Sequence, residues 1–202
     1  MLLLQIDDSK IKKTSAIILS GGKSSRMGQD KCDLIYNGKT LLNLQVDKIR
    51  KIGIDDIIVS GYRGFNCNEK VLLDDIMKGP LSGIYIGLQH IKNDRALVIS
   101  VDVPLIDIRS IIKIIMSSHE NDYDMTMIRH NGNREPLIGI YKKNLINKIE
   151  KILLSDNYSV MKLADVCNYK FIDIDDDDQN YVNINYMKDY QQLLEMKIEE
   201  EI

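Results

Sequence analysis

Residues 19–31, LSGGKSSRMGQDK, gather three glycines and three cations directly behind the apolar run Ala16-Ile17-Ile18-Leu19. Gly21, Gly22 and Gly28 let the backbone curl and aim successive N–H groups at an anion. Arg26 offers a planar fork for phosphate oxygens, Lys31 a point charge further along, and Lys23 a third cation. The plainer alternative is a solvated loop with ordinary basic residues. Gly22-Lys23-Ser24 imitates the end of a Walker A loop, but that motif needs a glycine at position 17, where isoleucine stands. A β-branched residue there cannot adopt the positive φ the loop requires. No G-x-G-x-x-G fingerprint fits either. If the stretch cradles phosphate, it does so in another way.

Asp102 is the second candidate. It ends the apolar segment RALVISVD (95–102) and precedes Val103-Pro104. Such an aspartate either caps a following helix or holds Mg²⁺, which takes one or two carboxylates and completes its shell with substrate phosphates. The acidic run at Asp173 and 175–178 lacks the central glycine and terminal glutamate of a calcium loop, and reads as a solvated loop. His90, His119 and His130 are scattered, without H-E-x-x-H spacing or a G-x-S-x-G elbow, and receive no chemistry.

The elements that must position these residues alternate between strand and helix. AIILS (16–20) reads as a strand buried on both faces. Asn37-Gly38 marks a tight turn. The segment 41–53 places Leu41, Leu42, Val46, Ile49 and Ile52 on one helical face, with Gly53 as its stop. DIIVSG (56–61) and KVLLD (70–74) follow as strands. GPLSG (79–83) reads as a turn leading into a helix through Ile84, Leu88 and Ile91. A helix over 106–118 comes after the 95–102 strand. YDMTMIRH and PLIGIYKK flank Asn131-Gly132-Asn133 as antiparallel partners. Helical stretches near 142–154 and 159–165, a strand at 169–174 and a C-terminal helix complete the chain. Alternation of this kind predicts an α/β fold, a single three-layer domain whose mostly parallel sheet carries helices on both faces. Ligands in such folds sit at the carboxyl ends of the strands, so the glycine loop and Asp102 are expected in one crevice.

The whole chain narrows the function classes. Its 202 residues, 44% hydrophobic and 28% charged, suit one soluble domain with a proper core. A net charge of −3 and the absence of tryptophan argue against nucleic acid as a partner. The opening MLLLQIDDSKIKK is too short in apolar residues for a secretory signal, and no segment approaches a membrane span. Cys32, Cys67 and Cys167 form neither a disulfide framework nor a C-x-x-C metal site, so a cytoplasmic protein with no membrane partner is expected.

Jointly, L-x-G-G-x-x-x-R-M-G-x-D-K (19–31), G-P-L-x-G (79–83), D-x-P (102–104) and V-N-I-N (182–185) resemble the molybdenum cofactor guanylyltransferases. These are nucleotidyltransferases with a Rossmann-like, dinucleotide-binding-like sheet. The resemblance runs from about Ser15 to the C-terminal helix, and so implies an N-terminal extension over 1–14 and a nucleotidyltransferase domain over 15–202. Sugar-phosphate nucleotidyltransferases usually show A-G-x-G-T-R-M and a proline before the lysine, and this sequence has neither.

The resemblance implies GTP as donor, Mg²⁺ as cofactor and molybdopterin as acceptor, with other molybdenum cofactor biosynthesis proteins as partners. Carried over by position, Leu19, Ser20 and Gly21 would line the nucleotide with backbone groups. Lys31 would sit on the phosphates, Asp74 near the nucleoside, and Asp102 on the metal, with Arg26, Lys31 and Asp102 as the catalytic set. Ser60 stands where family members often have asparagine, a longer partner with more donors. Asp75 adjoins Asp74, and counting from the strand favours Asp74. Strand alternation would put Asn183 and Asn185 on one face, toward the pterin or the Mg²⁺ shell, unless they serve only to satisfy backbone or cap the next helix. Related cytidylyltransferases more often carry Ala-Gly where Gly21-Gly22 stands. A non-catalytic nucleotide sensor on the same fold would have no need of the lysine and carboxylate together.

Overall fold

A computed structural model describes residues 7–21, 30–64, 67–120, 122–174 and 181–195. Gly22, Lys23, Arg26 and Gly28, and the acidic run 175–178, lie outside the described residues. Strand β1 (Ser15–Leu19) is flanked in parallel by β4 (Ile57–Ser60) on one side and β6 (Arg95–Ser100) on the other. β5 (Lys70–Leu72) extends the parallel set beyond β4. On the far side β8 (Asn133–Lys142) runs antiparallel to β6 and to β7 (Met125–His130), and β9 (Tyr169–Ile174) lies parallel to β7. The seven-stranded order is β5-β4-β1-β6-β8-β7-β9.

The unbroken apolar character of β1 follows from its place in the middle layer. Ala16 and Ile18 join a core beneath α2 (Leu41–Ile52) and α4 (Ile108–Glu120). Ile17 and Leu19 join a second core beneath α3 (Pro80–His90), α5 (Ile146–Leu153) and α6 (Val160–Ala164). Helix α2 has both of its ends written locally. The Thr40 hydroxyl accepts the Asn43 N–H at 3.1 Å, and Gly53 turns left-handed at φ 104°. Asn37 and Gly38 (φ 48° and 76°) close the two-residue hairpin between β2 (Ile35–Tyr36) and β3 (Lys39–Thr40).

Inside the segment read as an extension, α1 (Asp8–Lys12) buries Ile11 in the first core. Two local readings are corrected. Residues 80–83 are the first turn of α3 rather than a lead-in loop, and Ile91 is its C-cap. Proline suits a helix start, where its missing N–H costs nothing. Residues 181–185 form no strand; Ile184 is buried while Asn183 and Asn185 are exposed, and the Ile184 N–H donates to the Asp102 carbonyl at 2.8 Å. The C-terminal helix α7 (Met187–Glu195) follows.

Candidate active site

Chain direction diverges between β1, which leads to β4, and β6, which leads to the antiparallel half. That is a switch point, and the loops leaving the two carboxyl ends bound a crevice. They are stitched together by Val101 N–H donating to the Leu19 carbonyl at 3.1 Å.

Lys31 reaches this crevice from a single 3₁₀ turn, Lys31–Asp33. The Asp30 carboxylate accepts the Cys32 N–H at 3.0 Å, and the Cys32 side chain is fully buried with its thiol toward the Ser20 carbonyl at 3.7 Å. Burial, reinforced by Asp30, pushes that thiol far above its ordinary pKa, so Cys32 anchors the turn and does no chemistry. The Lys31 ammonium lies 3.8 Å from Asp102 Oδ2 and donates to Asn185 Oδ1 at 3.3 Å. The Lys31 and Asp102 side chains are 19% and 20% exposed, so the pair faces the opening without being freely solvated. Three of the expected residues, from three distant segments, therefore converge.

A second group continues along the carboxyl ends of β1, β4 and β5. Ser20 donates both its N–H (3.0 Å) and its hydroxyl (2.8 Å) to the Ser60 carbonyl. Gly21 is exposed beside Gly61. The Ser60 side chain is buried, and its hydroxyl has no hydrogen-bond partner. A Cβ on Gly83 of α3 would lie 3.2 Å from that hydroxyl and 3.0 Å from Leu19 Cδ2, so glycine there lets the helix start sit on the strand ends. Asp74 shapes the approach to α3. Its Oδ1 accepts the N–H groups of Ile76 (3.1 Å) and Met77 (3.0 Å), and its Oδ2 the Ser82 hydroxyl (2.6 Å). Asp75 is exposed and faces Arg63 at 3.9 Å. The Leu19, Ser20, Gly21, Ser60 and Asp74 positions thus form a row beside the Lys31–Asp102 pair.

The family described as the MobA-like NTP transferase domain matches residues 16–166, a span that contains the glycine loop, Asp74 and Asp102. The chain belongs to the MobA-like NTP transferases. A Campylobacter jejuni (strain RM1221) protein named molybdenum cofactor guanylyltransferase is 29% identical over 186 residues, covering 90% of this chain and 96% of that one. The fold matches an Archaeoglobus fulgidus crystal structure of molybdopterin-guanine dinucleotide biosynthesis protein A, with TM-score 0.76 and 18% identity over 90% of this chain and 97% of that one. It also matches a Mycobacterium tuberculosis protein solved as a complex with manganese (TM-score 0.67, 14% identity, 91% and 98% covered). At such identities the structural likeness is one of fold.

Within this MobA-like chain, the donor set for a cation is small. Among the described residues no cluster of three histidine, cysteine or acidic side chains could hold a metal by itself. Asp102 alone, carboxylate toward the opening and main chain pinned by Ile184, fits a hard ion that takes its remaining oxygens from water and phosphates. No described helix is long and apolar enough to cross a membrane.

Two residues of α2 escaped the sequence reading. Gln45 is fully buried, and its amide nitrogen donates to the carbonyls of Ser100 (3.3 Å) and Val103 (2.8 Å). Lys48 donates to the carbonyls of Pro104 and Ile106, both at 2.7 Å. The available signal was a polar residue inside the buried stripe Leu41, Leu42, Gln45, Ile49.

Proposed function

We propose that this chain transfers GMP from GTP to the phosphate of molybdopterin, releasing pyrophosphate and forming the guanine dinucleotide cofactor. The observation that carries this reading is the Lys31–Asp102 pair at the mouth of the crevice between β1 and β6. The name and near full-length coverage of the Campylobacter jejuni relative support the choice of donor and acceptor.

In this reading an ionised acceptor oxygen attacks the α-phosphorus in line. The new O–P bond forms as the bond to the bridging oxygen breaks, and pyrophosphate leaves with the electron pair. A phosphate monoester has a second pKa of about 6, so the nucleophile is already largely ionised near neutrality and no general base is needed. The absence of chemistry at His90, His119 and His130 suits that requirement. The Lys31 ammonium neutralises charge on the phosphates, while Asp102 and Asn185 hold it in place between turnovers. Arg26, outside the described residues, would add a guanidinium fork. Mg²⁺ bound at Asp102 would supply charge neutralisation on the phosphates.

Base recognition falls on the α3 side. The Leu19 carbonyl accepts from Val101 and keeps a second lone pair for guanine's exocyclic amine. An ionised carboxylate has about four acceptor positions, and Asp74 uses three. The position left on its Oδ2 can also take that amine, while N–H groups in the first turn of α3 and the Ser60 hydroxyl offer donors. Asn183 and the amide nitrogen of Asn185 would face the pterin. The test is an assay of purified protein with molybdopterin and each of four nucleotides, the dinucleotide product identified by mass. GTP should be preferred over ATP and CTP. Equal use of CTP would move the chain to the cytidylyltransferases, and tight GTP binding without any product would make it a nucleotide sensor.

A further inference from the structure

We propose that Gln45 and Lys48 are positioning residues for Asp102: from adjacent turns of α2 they hold the Ser100–Ile106 backbone so that the carboxylate stays beside Lys31. The inference rests on the nucleotidyl transfer proposed above. Gln45 grips the carbonyls of Ser100 and Val103, which bracket Asp102 in the chain. Because both partners are carbonyls, the amide nitrogen must be the atom between them, and the amide has two N–H groups to give. Its own oxygen is left buried without a hydrogen bond. A fully buried glutamine with an orphaned acceptor is a costly filler for an apolar helix face, so its placement points to what the nitrogen does. Lys48 secures the next stretch through Pro104 and Ile106, and the Asp102 carbonyl accepts from Ile184 N–H on the other side. The segment is therefore held by α2 and by residue 184, leaving the Asp102 side chain partly exposed between buried Val101 and Val103. Burial pulls the Lys48 ammonium down to about 8, with Asp107 opposing, which marks how far the group has been taken from water for this bond pair.

The experiment reads metal binding rather than turnover. Free Mn²⁺ is followed by electron paramagnetic resonance with a saturating, non-cleavable GTP analogue and no acceptor, for wild type, Gln45→Met, Lys48→Met and Asp102→Asn. Amide hydrogen exchange over 101–103 is measured in parallel, each variant well below its melting temperature. Lys48 is only half-buried and methionine keeps most of its aliphatic stem, so Lys48→Met carries the test should Gln45→Met not fold. Both α2 variants should raise the Mn²⁺ half-saturation about tenfold, as outer contacts at metal sites do, and speed exchange over 101–103. Affinity for the analogue without metal should not change. Half-saturation within twofold of wild type in the α2 variants, alongside a large loss in Asp102→Asn, would overturn the positioning role alone. Wild-type Mn²⁺ binding by Asp102→Asn would overturn the metal assignment and this inference with it.

Discussion

Gly61→Ala probes how closely two strand ends must approach to form the crevice. Gly61 sits at φ 93°, and a Cβ there would lie 2.7 Å from Gly21 Cα and 2.8 Å from Gly21 N. Both contacts are with backbone, so no side chain can swing aside. The left-handed conformation costs an L-residue about 1–2 kcal/mol. Overpacking against fixed neighbours adds about 1–3 kcal/mol. A combined loss of about 3 kcal/mol corresponds to a fall of roughly 6–12 °C in melting temperature for a domain of this size. Gly21→Ala is the internal control. Its Cβ would meet Gly61 Cα at 3.5 Å and the Ser60 carbonyl at 4.0 Å, ordinary contacts with no positive φ to overcome. That variant should melt within about 2 °C of wild type, in the range of changes that disturb no special feature. Thermal and urea denaturation, with GTP binding by calorimetry, give the readouts. Gly61→Ala should lose affinity because relieving the clash displaces the start of the glycine loop. Wild-type stability in Gly61→Ala, or equal damage from Gly21→Ala, would refute the close-approach reasoning.

Lys31→Ala should lower guanylyl transfer by orders of magnitude while leaving the melting temperature nearly unchanged, since removing one charge-stabilising donor costs about 2.7–4 kcal/mol at the transition state; near wild-type turnover would remove its role. Asn183→Ala combined with Asn185→Ala should impair transfer and spare GTP binding, because both side chains are exposed while Ile184 carries the packing. A stability loss like that of a core mutation would make them structural instead. Lys48 makes a pH prediction: its pKa falls from 10.5 unfolded to about 8 folded, so between these values the unfolded chain binds more protons. Stability measured against Lys48→Met should therefore rise from pH 8 to 10.5, and a flat difference would contradict the buried ammonium.

Much of this fold is legible locally because the forces that shape it are local. The apolar runs of β1 and β6, the Asn37-Gly38 turn, and the Thr40 and Gly53 ends of α2 each depend on residues within a few positions. The V-N-I-N alternation correctly separates buried Ile184 from its exposed asparagines, yet a strand also needs a partner edge, and among the described residues the main-chain pairing of this segment is a single bond to the Asp102 carbonyl. Likewise Pro80 suits either a turn or a helix start; the helix forms where Gly83 and Gly87 let it lie directly on β1. The meeting of Lys31, Asp102 and Asn185 was beyond local reading, because it depends on the parallel register of β1 with β6 and on the path of the chain after β9. Gln45 shows the limit most clearly. Its sequence neighbours make it a misplaced polar residue, and only the loop that β6 delivers over α2 supplies the carbonyls its buried amide must satisfy.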